Sequence, residues 1–402
     1  MSNFLIKIDE PAARPAAPGW ALWQLGFRPF YLLAGAFAGV SGGLWALQFG
    51  GGLPRSYLPG AIWHAHEMLF GYALAVVVGF LFTAGRNWSG RPTPPGPALA
   101  ALALLWLAGR VLVLTPFAWT AALVNAAFPL VAAAALAVPL VRARNRRNYF
   151  LVGLLALLGL AQFGVHAALL GSLPSTGKLA GWVGIHIGLD MVLFIIAVMA
   201  GRVVPMFTNN GVPGASARRQ PQLEWLALAG LLAVLAADAL GLHGPALAAL
   251  LAVCAAAHLL RLLLWQPWRT LRTPLVRVLH AAYLWIVIHL ALRAAAELGW
   301  VTASLAAHAL TVGGLGGMTL GMMTHTSLGH TARPLRADGC DVASCLLVQA
   351  AAVLRVLLPL VVPAATLPTV LASALCWSAA FALFTLRYWP VLTRARLDGK
   401  PG

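Results

Sequence analysis

Acidic charge is what this chain has least of. Its 402 residues hold 10 Asp and Glu against 27 Lys and Arg, and only 9% are charged. A soluble domain of this length needs far more charge to cover its surface, so that class is excluded. Cysteine is also sparse. Cys254, Cys340, Cys345 and Cys376 form no CxxC pair, which leaves neither a disulfide framework nor a cysteine metal site. Cys254 and Cys376 lie inside apolar runs and read as small buried hydrophobes. The polar, Pro-rich start (Pro11 to Gly19) contains no apolar segment with a small-residue cleavage site, so no removed signal peptide is expected. A net charge of +17 could point to nucleic acid, but the cations sit in short clusters between apolar runs. No basic face is formed, and nucleic-acid binding is excluded on that ground.

Apolar residues fill the rest: 61% of the chain, with a mean hydropathy of +0.84. About 20 apolar residues in helix cross a ~30 Å hydrocarbon layer, and helices satisfy their own backbone there. Twelve such runs are read at residues 29–50, 60–84, 97–115, 118–140, 149–172, 179–204, 223–241, 245–265, 274–298, 301–325, 341–362 and 366–390. The expected fold is therefore an all-α membrane protein of about twelve transmembrane helices. Residues 1–28 form a cytoplasmic segment, 29–390 the polytopic membrane domain and 391–402 a cytoplasmic tail. Placing the cations sets the orientation. Twenty-two of 27 fall at the termini or in the even-to-odd loops, and five (Arg55, Arg110, Lys178, Arg293 and Arg355) on the other side. By the positive-inside rule both termini are cytoplasmic.

A repeat runs through the chain. Runs 2, 6 and 10 share one direction, and each carries a histidine near its outer end. His66 to His186 spans 120 residues and His186 to His308 spans 122. Each is followed 26 or 27 residues later by a proline breaker: Pro92, Pro213 and Pro334. His166 and His289, 123 apart, give a weaker echo. Fixed-period similarity of this kind indicates a four-helix unit used three times.

A histidine within a membrane helix is costly and points to function. Neutral imidazole suits haem iron, copper or zinc without bringing charge into lipid, and a haem takes one or two axial imidazoles. His64, His66, His186 and His308 lie in the outer third and are the first-choice ligands, with His280 and His289 next. His166, His325 and His330 are left open. His258 reads as a packing residue and His243 as a solvated loop residue. On an ideal helix His64 and His66 point about 200° apart and serve different partners. Asp190, four residues after His186, and Glu67, three after His64, are placed to orient those rings. Arg86 and Arg202, at inner helix ends within segments too polar for plain spans, could each pair with an anion. Gly313, Gly314, Gly316, Gly317 and Gly321 allow either close helix packing or room for a flat macrocycle.

Several long motifs occur in order: WHAHEMLFG from Trp63 to Gly71, AGRNW from Ala84 to Trp88, HIGLDM from His186 to Met191, MAGRVVPMFT from Met199 to Thr208, HALTVG from His308 to Gly313 and MMTHTSLGH from Met322 to His330. With them the chain resembles the NnrS family from about Phe27 to Pro334. The resemblance implies a bacterial inner-membrane protein that carries haem (haem b is expected) and copper. It would act in nitric oxide metabolism, denitrification or protection from nitrosative stress. Nitric oxide, or a related small gas, would be its partner, and quinol the electron donor where electrons are used. One departure stands out: His325 occupies a position where the family usually has arginine. A looser, fold-level likeness is to the core subunit of haem-copper oxidases. Run 7, however, has no histidine pair and run 10 a single outer His308, which argues against oxygen reduction. The alternative from another class is a multi-pass transporter of a small solute without a redox cofactor.

Overall fold

The structure is a computed structural model and describes residues 19–49, 51, 57–58, 60–171 and 179–400. The expected amino-terminal segment through residue 18, together with Arg55 and Lys178, lies outside the described residues. Twelve helices follow one another: α1 (Phe27–Phe49), α2 (Gly60–Ser89), α3 (Gly96–Leu112), α4 (Ala118–Arg142), α5 (Arg146–Leu169), α6 (Gly181–Gly211), α7 (Pro221–Ala239), α8 (Pro245–Leu264), α9 (Pro274–Glu297), α10 (Ala303–Gly329), α11 (Gly339–Val361) and α12 (Pro363–Thr393). Eleven are long and apolar enough to cross a membrane, and α3 is the shorter twelfth. Among the described residues the only β feature is an isolated bridge between Trp20 and Arg394. The chain is an all-α, multi-pass membrane protein.

Proline and glycine set the helix ends. Pro221, Pro245 and Pro274 begin their helices at the position where a missing N–H is harmless. Gly90 closes α2 in the left-handed conformation, its N–H bonded to the Arg86 carbonyl. Successive helices pack on one another, and α12 returns to pack along α1, closing the bundle. The Ala21 N–H donates to the Thr393 carbonyl, and buried Arg28 donates to the carbonyls of Leu392 and Arg394. The end of the bundle where α1 begins and α12 finishes is called the near end below, and the opposite one the far end.

Three helices occupy the middle. Within their most apolar windows α2, α6 and α10 are 83%, 72% and 72% buried, against 22% for α7 and 39% for α11 and α12. These are the three histidine-bearing runs of the repeat. They also run past their apolar stretches, to Ser89, Gly211 and Gly329. Polar segments such as Gly85–Trp88 remain helical there, with Gly85 buried and Asn87 exposed. Large apolar side chains such as Leu104, Val111, Leu226, Leu260 and Leu375 face outward on the peripheral helices, as lipid contact requires.

Two central helices share a distortion. Directly after His66, α2 widens into π-helical turns over Glu67–Ala73, and directly after His308, α10 does the same over Ala309–Gly316. π-Turns are rare and concentrate at functional sites. The glycines of α10 serve close packing: a Cβ on Gly313 would overlap the Trp285 ring, and one on Gly316 the Trp377 ring.

Candidate functional site: a histidine-lined cavity at the far end

A cavity of about 490 Å³ opens between the far halves of α1, α2, α6, α10, α11 and α12, within the range of roughly 300–1,000 Å³ typical of ligand pockets. His64, His186 and His308 all line it. Its other walls are aromatic or aliphatic, chiefly Trp45, Trp182, Tyr72 and Trp377, and Arg355 supplies the one charged side chain.

His64 and His308 face each other. Their ring centres are 6.4 Å apart and their planes 12° from parallel. His64 is held by Trp45, stacked at 4.4 Å and 13°. His308 donates Nδ1–H to the Ser304 carbonyl at 2.7 Å, which leaves the Nε2 lone pair free in the neutral ring. His64 Nδ1 is buried with no hydrogen-bond partner. His186 stands beside Trp182, ring centres 6.1 Å apart.

His66 goes elsewhere. Its Nδ1 lies 2.8 Å from Glu67 Oε1 and its Nε2 3.3 Å from Gln162 Nε2, so both ring nitrogens are engaged. Arg110 on α3 donates to Glu67 Oε1 at 2.6 Å and also to Asn125 on α4. Gln162 on α5 donates to the same Asn125 oxygen. His166 adjoins this network, its ring centre 4.8 Å from that of His66 and its Nδ1 2.9 Å from the Tyr57 hydroxyl. The four outer histidines therefore resolve into a cavity group (His64, His186, His308) and a polar network around His66.

The expected ring-orienting carboxylates are engaged elsewhere. Glu67 bonds His66 and Arg110, because the helix widens at Glu67 and the ideal three-residue spacing from His64 no longer holds. Asp190 accepts from Arg293 on α9 at 3.1 Å, and Arg293 also pairs with Asp238 on α7. Arg202 lies at the near end, donating to Asn148 at 2.8 Å and stacked by Trp88 and Phe150. Arg86 occupies the near end of α2, and neither arginine lines the cavity.

The remaining histidines are dispersed. His289 donates Nδ1–H to the Ala306 carbonyl at 2.8 Å, and its Nε2 is buried without a partner. His280 sits 2.8 Å from the Thr208 hydroxyl. His325 stacks on Phe207 at 4.2 Å and 8°. His330 packs on Phe27, while its carbonyl accepts from Arg396. His258 bonds the Tyr283 hydroxyl at 2.6 Å and makes a packing contact, and exposed His243 lies 3.5 Å from Glu297. Among the described residues no three histidine, cysteine or carboxylate side chains converge as a ready metal site.

Four intramembrane arginines carry structure that the loop-charge count obscured. Arg293 and Arg355 lie inside helices rather than at their far ends, Arg110 stands buried in the last turn of α3, and Arg261, counted with a loop, is buried in the last turn of α8. Arg261 makes a two-pronged pair with Glu224 at 2.7 and 2.8 Å and also donates to Tyr283 and the Ala197 carbonyl. The available signal was their position: an arginine in mid-run is too costly to be incidental.

The fold and cavity define a polytopic membrane protein with an intramembrane histidine site. The chain belongs to the NnrS protein family, whose model matches residues 21–396, nearly its whole length. In broad terms it is a nitric oxide-related membrane protein. No curated protein matches it.

Proposed function

We propose that this protein binds haem in the far-end cavity, where His64 and His308 would hold it, and acts on nitric oxide or protects the cell from it. The observation that carries this reading is the His64–His308 pair, 6.4 Å between ring centres and near-parallel. The residues present fit the group. His308 has its second nitrogen fixed by a carbonyl, the arrangement that holds a ligating imidazole in one tautomer. Two facing imidazoles are too few for a closed zinc site, which takes four ligands, but suit an iron already held by a macrocycle. The aromatic walls make the cavity largely apolar, and His186 is placed at the cavity wall beside them.

Haem iron would supply the capacity to bind or reduce a small gas. Nitric oxide is small and apolar and concentrates in lipid, so a site within the bilayer reaches it. Copper has soft candidate donors in Met199, Met318 and Met322, which border a second, apolar cavity of about 60 Å³ between α1, α2, α6 and α10. With the Lys and Arg clusters inside, the near end and both termini face the cytoplasm of a bacterial inner membrane.

The test is the haem and copper content of protein purified from haem-replete, copper-replete cells. Haem in the protein that nitric oxide shifts spectrally supports the reading. Colourless, metal-free protein sinks it and promotes the small-solute transporter.

A further inference from the structure

Among the described residues, three arginines of α3, α8 and α9 pair with acids. Arg110 has Glu67, Arg261 has Glu224, and Arg293 has Asp190 and Asp238. The other described carboxylates are engaged too: Glu297 near His243, Asp338 with Arg387, Asp341 with Tyr388 and Asp398 with Arg396. Among the described residues Arg355 on α11 has none. Its hydrogen bond is to the Ser304 hydroxyl on α10, at 3.1 Å. It sits on a π-helical turn, Val353–Leu357, and lines the same cavity as His64 and His308. An uncompensated cation held within a bilayer is expensive.

We propose that Arg355 receives an anionic group carried by the cavity's ligand, a carboxylate on an otherwise apolar molecule. This rests on the haem reading above and deepens it: the macrocycle's propionates carry that carboxylate. Apolar walls and a single cation lining the cavity together select an amphipathic anion, since a small hydrated anion gains nothing from the tryptophans and a neutral apolar ligand leaves Arg355 without a carboxylate. A guanidinium–carboxylate contact there is charge-assisted. The role fell to Arg355 rather than to Arg86 or Arg202 because those two stand at the opposite end of the bundle from the histidine pair.

The experiment compares haem with its dimethyl ester, in which both propionates are neutral, binding to ligand-depleted wild type, Arg355→Gln and Arg355→Lys. Wild type should prefer the free acid by about tenfold or more, the ratio of one charge-assisted contact. Arg355→Gln should bind both forms equally, and Arg355→Lys should keep most of the preference. Equal preference in wild type and Arg355→Gln overturns the proposal. Native mass spectrometry of co-purified anionic phospholipid is the second arm. If wild type binds neither form of haem, the haem reading fails. Phospholipid retained by wild type and lost in Arg355→Gln then keeps the anion site and identifies a lipid headgroup. Retention that is the same in both overturns the anion site as well.

Discussion

His64 and His308 lie 244 residues apart in sequence, yet their imidazoles stand 6.4 Å apart across one cavity, while His66, two residues from His64, is hydrogen-bonded away from it. This split rests on helix geometry. Near-opposite directions for residues two apart send one ring towards α10 and the other towards α5.

The His66 side is a structural network whose members should depend on each other. Removing one charge of a buried pair leaves the other uncompensated, at about 3–5 kcal/mol. Glu67→Met and Arg110→Met are each expected to lower the thermal unfolding midpoint of the purified protein substantially. The double variant Glu67→Met with Arg110→Met should recover much of the loss. A double variant no better than the sum of the singles would show that the pair is not coupled.

Gly201 is expected to tolerate no side chain. A Cβ there would overlap the Arg261 guanidinium and approach Glu224 Oε2 to 2.9 Å. Gly201→Ala should displace Arg261 from Glu224 and the Ala197 carbonyl and cost about 3 kcal/mol or more. Gly153→Ala, which meets nothing within 4 Å, is the control and should be near neutral or slightly stabilising, since alanine is the better helix former. Equal effects of the two changes, by thermal unfolding, would contradict the packing described.

Much of this was legible in the sequence, and the part that was not has identifiable causes. Apolar runs against a ~30 Å layer gave twelve helices with ends close to those observed. The spacing of His66, His186 and His308 marked α2, α6 and α10, which prove to be the central helices. Two things could not be read. The widening at Glu67 and at Ala309 has no signal in composition, so the helical wheel misassigned Glu67. Arg110, Arg261 and Arg355 entered a count of loop charges because a cation near a helix end and one just inside it look alike without the neighbours that pair with them.

Near-end stability should depend on pH through His330. Burial, with the guanidiniums of Arg396, Arg86 and Arg28 nearby, holds its imidazole below its ordinary value of 6.5. The unfolded chain therefore binds this proton first as pH falls, and stability is lost on acidification below about pH 6.5. His330→Gln should flatten the fall in unfolding midpoint between about pH 7 and pH 5. An unchanged slope would show that His330 does not titrate between the two states.

The most direct test is the reduced-minus-oxidised difference spectrum of the purified protein compared across three single variants. If His64 and His308 hold the haem, His64→Ala and His308→Ala each lose or shift the Soret and α bands. His66→Ala, though less stable, keeps their positions per folded molecule. Bands that persist unchanged in His64→Ala and His308→Ala, or that vanish only in His66→Ala, would contradict the assignment of the cavity as the haem site.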